Sequence, residues 1–309
     1  MANALVVGAN GFLGSHLVDA LAAAGHRVRA FDRFSGERGP IYTAPNVELR
    51  RGEFLSRTDL ESAVEGQDLV FHFLSTTTPA TAERDPTLDV RTNIAQTIEL
   101  LESCVSAGVQ HFYFASTGGA IYGNQGKHLY SEGDRALPVS PYAIGKLTIE
   151  HYLRYFQAMH GLDSTILRIS NPYGSRQHST KLQGFIPIAL RHIMRGEKVV
   201  QFGDGSMVRD YIYVEDAVQM ILRIVASGNK SELYNIGSGH GSAVEDVITA
   251  LRAVTLVDFE IERVAVPPTF VNRVVLDIDR YRSQFGEFTA LSLADGIERT
   301  FRGMSTAHA

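Results

Sequence analysis

The feature that most restricts the fold is a rhythm. Over the first 170 residues, short β-branched runs alternate with helical patterns. The runs are ALVVG (4–8), RVRAFD (27–32), VELRRG (47–52), DLVFHFL (68–74), HFYFAS (111–116) and DSTILRI (163–169). The helical patterns fall at 12–25, 58–65, 86–108 and 140–160. Such alternation predicts an α/β architecture, a parallel sheet covered on both faces by helices. From Asn171 the rhythm changes. NPYGSRQHSTKLQG reads as a loop. Beyond it the pattern predicts helices at 185–195, 214–227, 243–254, 279–285 and 292–303, with strands at 199–202, 210–213, 233–236 and 259–264.

Composition removes several function classes. The formal net charge of -5 and the want of any Lys/Arg-rich run leave nothing to neutralise nucleic-acid phosphates. No run of about eighteen apolar residues is present to span a bilayer. The single cysteine, Cys104, precludes an internal disulfide framework and lies in an apolar helical pattern, as a buried small hydrophobe would. The eleven histidines are scattered, none paired at HxxxH or HExxH spacing with a supporting carboxylate, so no metal site is predicted. A soluble cytoplasmic protein is expected.

GANGFLG, Gly8 to Gly14, lies where the first strand meets the first helix. Gly8 suits a tight turn, Gly11 admits a pyrophosphate to the backbone, and Gly14 lets helix and sheet pack closely. Free N–H groups at the helix start then favour the phosphates. Asp32 ends the second strand eighteen residues beyond Gly14, where a carboxylate can accept hydrogen bonds from both ribose hydroxyls and repel a 2′-phosphate. That favours NAD over NADP. Arg33, beside it, has the opposite preference. The fold expected is a Rossmann-type doubly wound sheet over 1–170 that also takes segments near 203–240. A smaller mixed α/β lobe, mainly 171–304, would bind substrate, and 305–309 would fray.

SPYAIGKLTIEHY (140–152) sets Tyr142 and Lys146 four residues apart, on one helix face. Two readings are open from the residues alone: a snorkelling lysine beside a half-buried tyrosine, or a phenol made acidic by a cation. GANGFLG, DLVFHFL, STGGAIYG, YAIGK, RISNPYG and RDYIYVEDA occur in that order. Together, from about residue 3 to 302, they resemble the extended short-chain dehydrogenase/reductase family, in particular its nucleotide-sugar epimerases and dehydratases.

The resemblance implies a hydride mechanism with NAD as cofactor. Tyr142 would be the base that takes a sugar hydroxyl proton, and Lys146 would bond the nicotinamide ribose and stabilise the phenolate. Thr117, with Ser116 as the neighbouring alternative, would hydrogen-bond the reacting oxygen. The cofactor cradle would take in Gly8, Gly11, Phe12, Leu13, Gly14, Asp32 and Arg33. It would continue through Glu53, Phe54, Phe73, Leu74, Ser75, Asn93 and Ile169. For the substrate, Asn171, Arg209 and Arg273 would bond the diphosphate and Phe202 would pack on the base, most simply uracil.

Family dehydratases carry an Asp-Glu pair after the threonine, whereas Gly118 and Gly119 stand here. Glycine shuttles no proton and leaves room for a 4-keto sugar to turn, so the resemblance points to a 4-epimerase of UDP-glucose/galactose or UDP-glucuronate/galacturonate type. A 4-ketoreductase or dehydratase is the alternative enzyme, and an NAD-binding regulatory relative the alternative outside catalysis. STTTPA (75–80) is more polar than the family pattern, so Thr76, Thr77, Thr78 or Arg176 could meet a 6-carboxylated sugar. A homodimer through helices 86–108 and 140–160 is also implied. Ile94, Ile98, Leu101, Leu147, Leu153 and Phe156 could form its faces or pack on the sheet instead.

Overall fold

The apolar runs become a seven-stranded sheet whose central strands are buried on both faces, while the edge strand over 47–51 is largely exposed. A computed structural model describes residues 1–35, 42–177, 184–228, 232–267 and 269–306. Its strands are β1 (Asn3–Val7), β2 (Arg27–Asp32), β3 (Val47–Arg51), β4 (Leu69–His72), β5 (His111–Thr117), β6 (Asp163–Ile169), β7 (Asn171–Tyr173), β8 (Val199–Phe202), β9 (Val208–Tyr213), β10 (Leu233–Ile236), β11 (Gly241–Ala243), β12 (Ile261–Val264) and β13 (Arg273–Val274). The large sheet runs β10-β6-β5-β4-β1-β2-β3. Its β1–β2, β1–β4, β2–β3 and β4–β5 pairs are parallel. Val7 pairs with both Phe31 and His72, and His72 with Phe114, so these strands end together. Strand order reverses between β1 and β4, the switch point at which open α/β sheets bind ligands.

The helices are α1 (Phe12–Ala23), α2 (Arg57–Val64), α3 (Pro79–Arg84), α4 (Pro86–Asp89), α5 (Ala95–Ala107), α6 (Pro141–His160), α7 (Phe185–Met194), α8 (Val214–Ala226), α9 (Val244–Thr255), α10 (Asp279–Phe285) and α11 (Leu293–Thr306). The helix expected over 86–108 is interrupted. Asp85 caps α4 by accepting from Leu88 N, and a π-helical turn at Val90–Ile94 joins α4 to α5. Just before it, the reciprocal cap between Thr78 and Thr81 starts α3, which periodicity had not shown. Of the tail expected at 305–309, Ser305 and Thr306 belong to α11; 307–309 lie outside the described residues.

Contacts divide the chain into two units. The first comprises Met1–Thr117, Ser140–Arg168 and Ile221–Tyr234; the second comprises Gly118–Val139, Ile169–Met220 and Asn235–Ala309. Residues 118–139 therefore differ from the boundaries expected above, and the returning segment is narrower than 203–240. Leu5, Val7, Phe31, Leu100, Phe112 and Phe114 lie at the centre of the first unit's core. Leu101, Leu153 and Phe156 also belong to that core, so these three do not form an outward face, while Ile94 and Ile98 are half-buried and pack against it. The outward row of α6 is Ile144, Tyr152, Tyr155 and Met159, each at least 37% exposed. In the second unit β9 is flanked by β7, β11 and β13, while β8 pairs with β12. Tyr173, Leu190, Val247, Leu251 and Ile297 are buried in its core. Among the described residues no helix is long and apolar enough to cross a membrane.

Candidate active site

The nucleotide end is built by close approach. Gly8 has a φ of +92°, and a Cβ there would lie 2.8 Å from Leu74 N. A Cβ on Gly14 would drive into the Gly8 carbonyl, so only glycine lets α1 begin this close to β1. Gly11 is the N-cap of α1 and supplies no side-chain acceptor, so the first-turn N–H groups carry the helix's positive end uncapped by a side chain. Phe12 and Leu13 open that helix. Asp32 accepts from Asn10 N at 3.0 Å and Arg33 N at 2.8 Å, which fixes its carboxylate beside the loop. Arg33 is exposed. A narrow backbone cradle, a positive helix end and an anchored carboxylate at the next strand suit a dinucleotide with a free ribose.

The other expected cradle residues are less uniform. Phe73, Leu74 and Ser75 follow β4 and are half-buried, while Glu53 is exposed and Phe54 buried against His72. Asn93 turns its amide inward, accepting from Thr76 N at 2.9 Å and donating to Thr77 and Asp89. His72 bonds Thr97 Oγ1 at 2.9 Å. Burial, helped by the Lys146 charge, lowers its pKa to about 3, so the ring is neutral.

α6 carries the pair expected to be catalytic, Tyr142 and Lys146. Pro141 occupies its first turn, and Ser140 caps it by accepting from Ala143 N. Tyr142, Lys146 and Glu150 then recur every four residues on one face. Lys146 Nζ donates to Ala115 O at 2.9 Å and lies 4.7 Å from the centre of the Phe114 ring and 5.8 Å from that of Tyr142. Burial lowers the Lys146 pKa to about 8, against the opposing pull of Asp89 and Glu150. Burial, reinforced by Asp89, raises Tyr142 to about 12. The protein alone therefore keeps the phenol protonated.

Ser116 points away from Thr117. Its hydroxyl is buried and donates to Glu150 Oε1 at 2.5 Å. Glu150 also accepts from Arg168 Nε at 3.1 Å and Nη2 at 2.7 Å, a bidentate pair with side chains 0% and 4% exposed. Thr117, half-buried at the end of β5, is the hydroxyl of the two left out of that network.

The second unit holds the other set. Gly118 N donates to Ile169 O at 2.6 Å, and a Cβ on Gly119 would lie 3.3 Å from Asn171 Oδ1. Asn171 Nδ2 donates to Asp210 O at 3.1 Å. Arg209 Nη1 reaches Val208 O at 2.9 Å, and burial lowers its pKa. Arg273 Nε donates to His128 O at 3.3 Å. β13 and β9 pair Arg273 with Val208 and Val274 with Arg209, which brings the two arginines to neighbouring strands. Phe202 is 37% exposed, its ring 5.2 Å from that of Phe270. Arg176 has a φ of +63°, in the left-handed region.

Residues 4–237 match the NAD dependent epimerase/dehydratase family. The chain belongs to that family. NAD is accordingly its cofactor, and the cradle around Gly8–Gly14 and Asp32 fits it. This epimerase/dehydratase family member is 31% identical over 305 residues to the UDP-glucose 4-epimerase of Mycolicibacterium smegmatis, with 96% of each chain covered. It is equally 31% identical to the dTDP-glucose 4,6-dehydratase of Streptomyces griseus, covering 96% of this chain and 92% of that one. Among solved structures, the UDP-glucose 4-epimerase of Thermotoga maritima with UDP-glucose superposes with a TM-score of 0.92 at 33% identity, covering 99% of this chain and all of that one.

In this epimerase/dehydratase chain three buried carboxylates, Asp89 and Glu150 in the first unit and Asp210 in the second, bond or adjoin expected site residues of their own unit without having been singled out in the sequence. Glu150 holds Ser116. Asp210 accepts from Ser238 N and Oγ, Gly239 N and Leu276 N, which ties β9 to the segments after β10 and β13. Asp89 is held by Thr77 Oγ1 at 2.5 Å and Asn93 Nδ2 at 2.8 Å. Thr77, expected to face the sugar, thus spends its hydroxyl on Asp89. Thr78, expected there too, caps α3. The available signal was spacing: Asp89 and Asn93 are i and i+4, and Glu150 continues the Tyr142–Lys146 row.

Proposed function

We propose that the chain is an NAD-dependent nucleotide-sugar 4-epimerase acting on a UDP-hexose. The observation that carries this reading is the contrast along β5 and α6. Tyr142 and Lys146 are present for proton and hydride exchange at one carbon, but Gly118 and Gly119 follow Thr117 with no side chain to remove a second proton. NAD, when bound, supplies the hydride acceptor and returns the hydride. Tyr142 takes the C4 hydroxyl proton, and Lys146, fixed by Ala115 O, holds the adjacent positive charge. Thr117 bonds the reacting oxygen. Asn171, Arg209 and Arg273 bind the diphosphate, arginine offering charge-assisted bonds to its oxygens, and Phe202 packs on the base. Re-reduction of the opposite face after the keto sugar turns gives the epimer.

An epimerase regenerates its cofactor in every cycle, so denaturing the purified protein is expected to release near-stoichiometric NAD. Incubation with UDP-glucose, UDP-galactose, UDP-glucuronate and dTDP-glucose, followed by product separation, is expected to show interconversion of C4 epimers. A 4-keto-6-deoxy sugar from dTDP-glucose would establish a dehydratase instead. Consumption of added reduced cofactor would establish a ketoreductase. Preference for UDP-glucuronate would make the substrate a uronate, with Arg176 as the candidate donor.

A homodimer through α6 and the segment before α5 belongs to the same proposal, supported by the exposed row Ile144, Tyr152, Tyr155 and Met159. Tyr155→Glu combined with Met159→Glu is expected to halve the sedimentation mass; an unchanged dimer would place the interface elsewhere. A cytoplasmic location is likewise proposed, supported by the buried free thiol of Cys104.

A further inference from the structure

We propose that Asp89 is a positioning residue for the catalytic pair: a fixed buried anion, seated on the Gly145 backbone beside Tyr142 and Lys146, that sets the pH at which the pair gives up its proton. This rests on the reading of Tyr142 as the proton acceptor.

Asp89 ends α4 and is 3% exposed. The π-helical turn that follows brings Asn93 alongside it, and Oδ1 accepts from Asn93 Nδ2 and Thr77 Oγ1. Asn93 is itself fixed, donating to Thr77 Oγ1 at 2.9 Å and accepting from Thr76 N. Oδ2 lies against α6 at Gly145, where any Cβ would collide with it. Gly145 stands between Tyr142 and Lys146 in the chain, so the missing side chain admits a carboxylate to the helix face that carries both. The donors to Oδ1 are neutral, which leaves the charge of the carboxylate uncancelled by them.

Other charged and titratable groups face the pair as well. Glu150 lies a turn beyond Lys146 but is already bound by Arg168 and Ser116. His72, on β4, is neutral. Asp89 is therefore the anion that acts on both members: its charge raises Tyr142 and opposes the burial that lowers Lys146. Two strongly interacting groups lose protons as a unit. A nearby negative charge raises the midpoint of that loss whichever member gives up the proton, so removing it must move the midpoint down. NAD, when bound, would bring a positive nicotinamide to the pair, opposing Asp89 and favouring the phenolate of Tyr142.

Asp89→Asn keeps shape and removes charge. The readout is the ultraviolet tyrosinate band of the NAD-loaded protein, titrated with pH and taken as the difference from the same protein carrying Tyr142→Phe. The midpoint in Asp89→Asn is expected about one pH unit below that of the parent, the scale of one close charge. Gly145→Ala, in which a methyl displaces the carboxylate and alanine suits the helix, is expected to move it in the same direction by less. A purely structural role would move neither, and unshifted midpoints would overturn the proposal. If Asp89→Asn does not fold, Gly145→Ala decides the matter alone. The titration needs no sugar, so inactivity toward nucleotide sugars would reject the reaction assigned above while leaving this midpoint to be judged separately.

Discussion

Tyr142→Phe is expected to lower nucleotide-sugar turnover by about a thousandfold, within the range found for a lost general acid–base group, and to leave NAD bound. The substitution removes one oxygen from a half-buried ring. The ring still fills its place on α6, and neither the glycine cradle nor Asp32 is touched. What disappears is the only group in the Tyr142–Lys146 pair able to accept a hydroxyl proton as a phenolate, because Lys146, held by Ala115 O and lowered only to about 8, remains largely an ammonium at neutral pH. Product formation measures the loss, and the NAD released on denaturation measures retention. A variant with parental turnover would remove Tyr142 from the mechanism. A variant that loses NAD as well would show that the phenol serves binding.

Arg168→Met is expected to destabilise the protein by about 3–5 kcal/mol, the cost of leaving a buried carboxylate without its cation. Glu150 is fully buried, and apart from Arg168 the Ser116 hydroxyl bonds it. Glu150→Leu combined with Arg168→Met should recover most of the loss, since the two charges vanish together and apolar side chains of similar size replace them. Denaturant unfolding followed by circular dichroism measures both. A single variant within about 1 kcal/mol of the parent would mean that water reaches Glu150, contrary to its burial.

Much of the first unit was legible because its code is local. Strands such as RVRAFD and DSTILRI appear at the residues expected, since β-branched runs bounded by turn formers have few other uses. Gly8, Gly14 and Asp32 were legible because their spacing is tied to a strand–turn–helix unit. The parts that were not legible depend on distant partners. β7, β11 and β13 have two or three residues each, too short to display a period, and exist because β9 lies beside them. Leu101, Leu153 and Phe156 lie on helices that have apolar residues on more than one side, and only packing decides which side is inward. DPTLDV reads as an exposed, polar helix start; Asp89 is drawn inside by a π-helical turn and by the space at Gly145, neither of which has a sequence signature.

The sheet order also bears on how the chain is made. β6 has β5 on one side and β10 on the other, joined in part by Ile166 N donating to Glu232 O at 2.8 Å. During synthesis β6 is finished long before residue 232 leaves the ribosome. Until then its outer row of peptide groups stays open, on a strand buried at every residue but the first in the finished fold. A fragment stopped near residue 170 would therefore be a sticky intermediate, and the last strand of the large sheet acts as its covering edge.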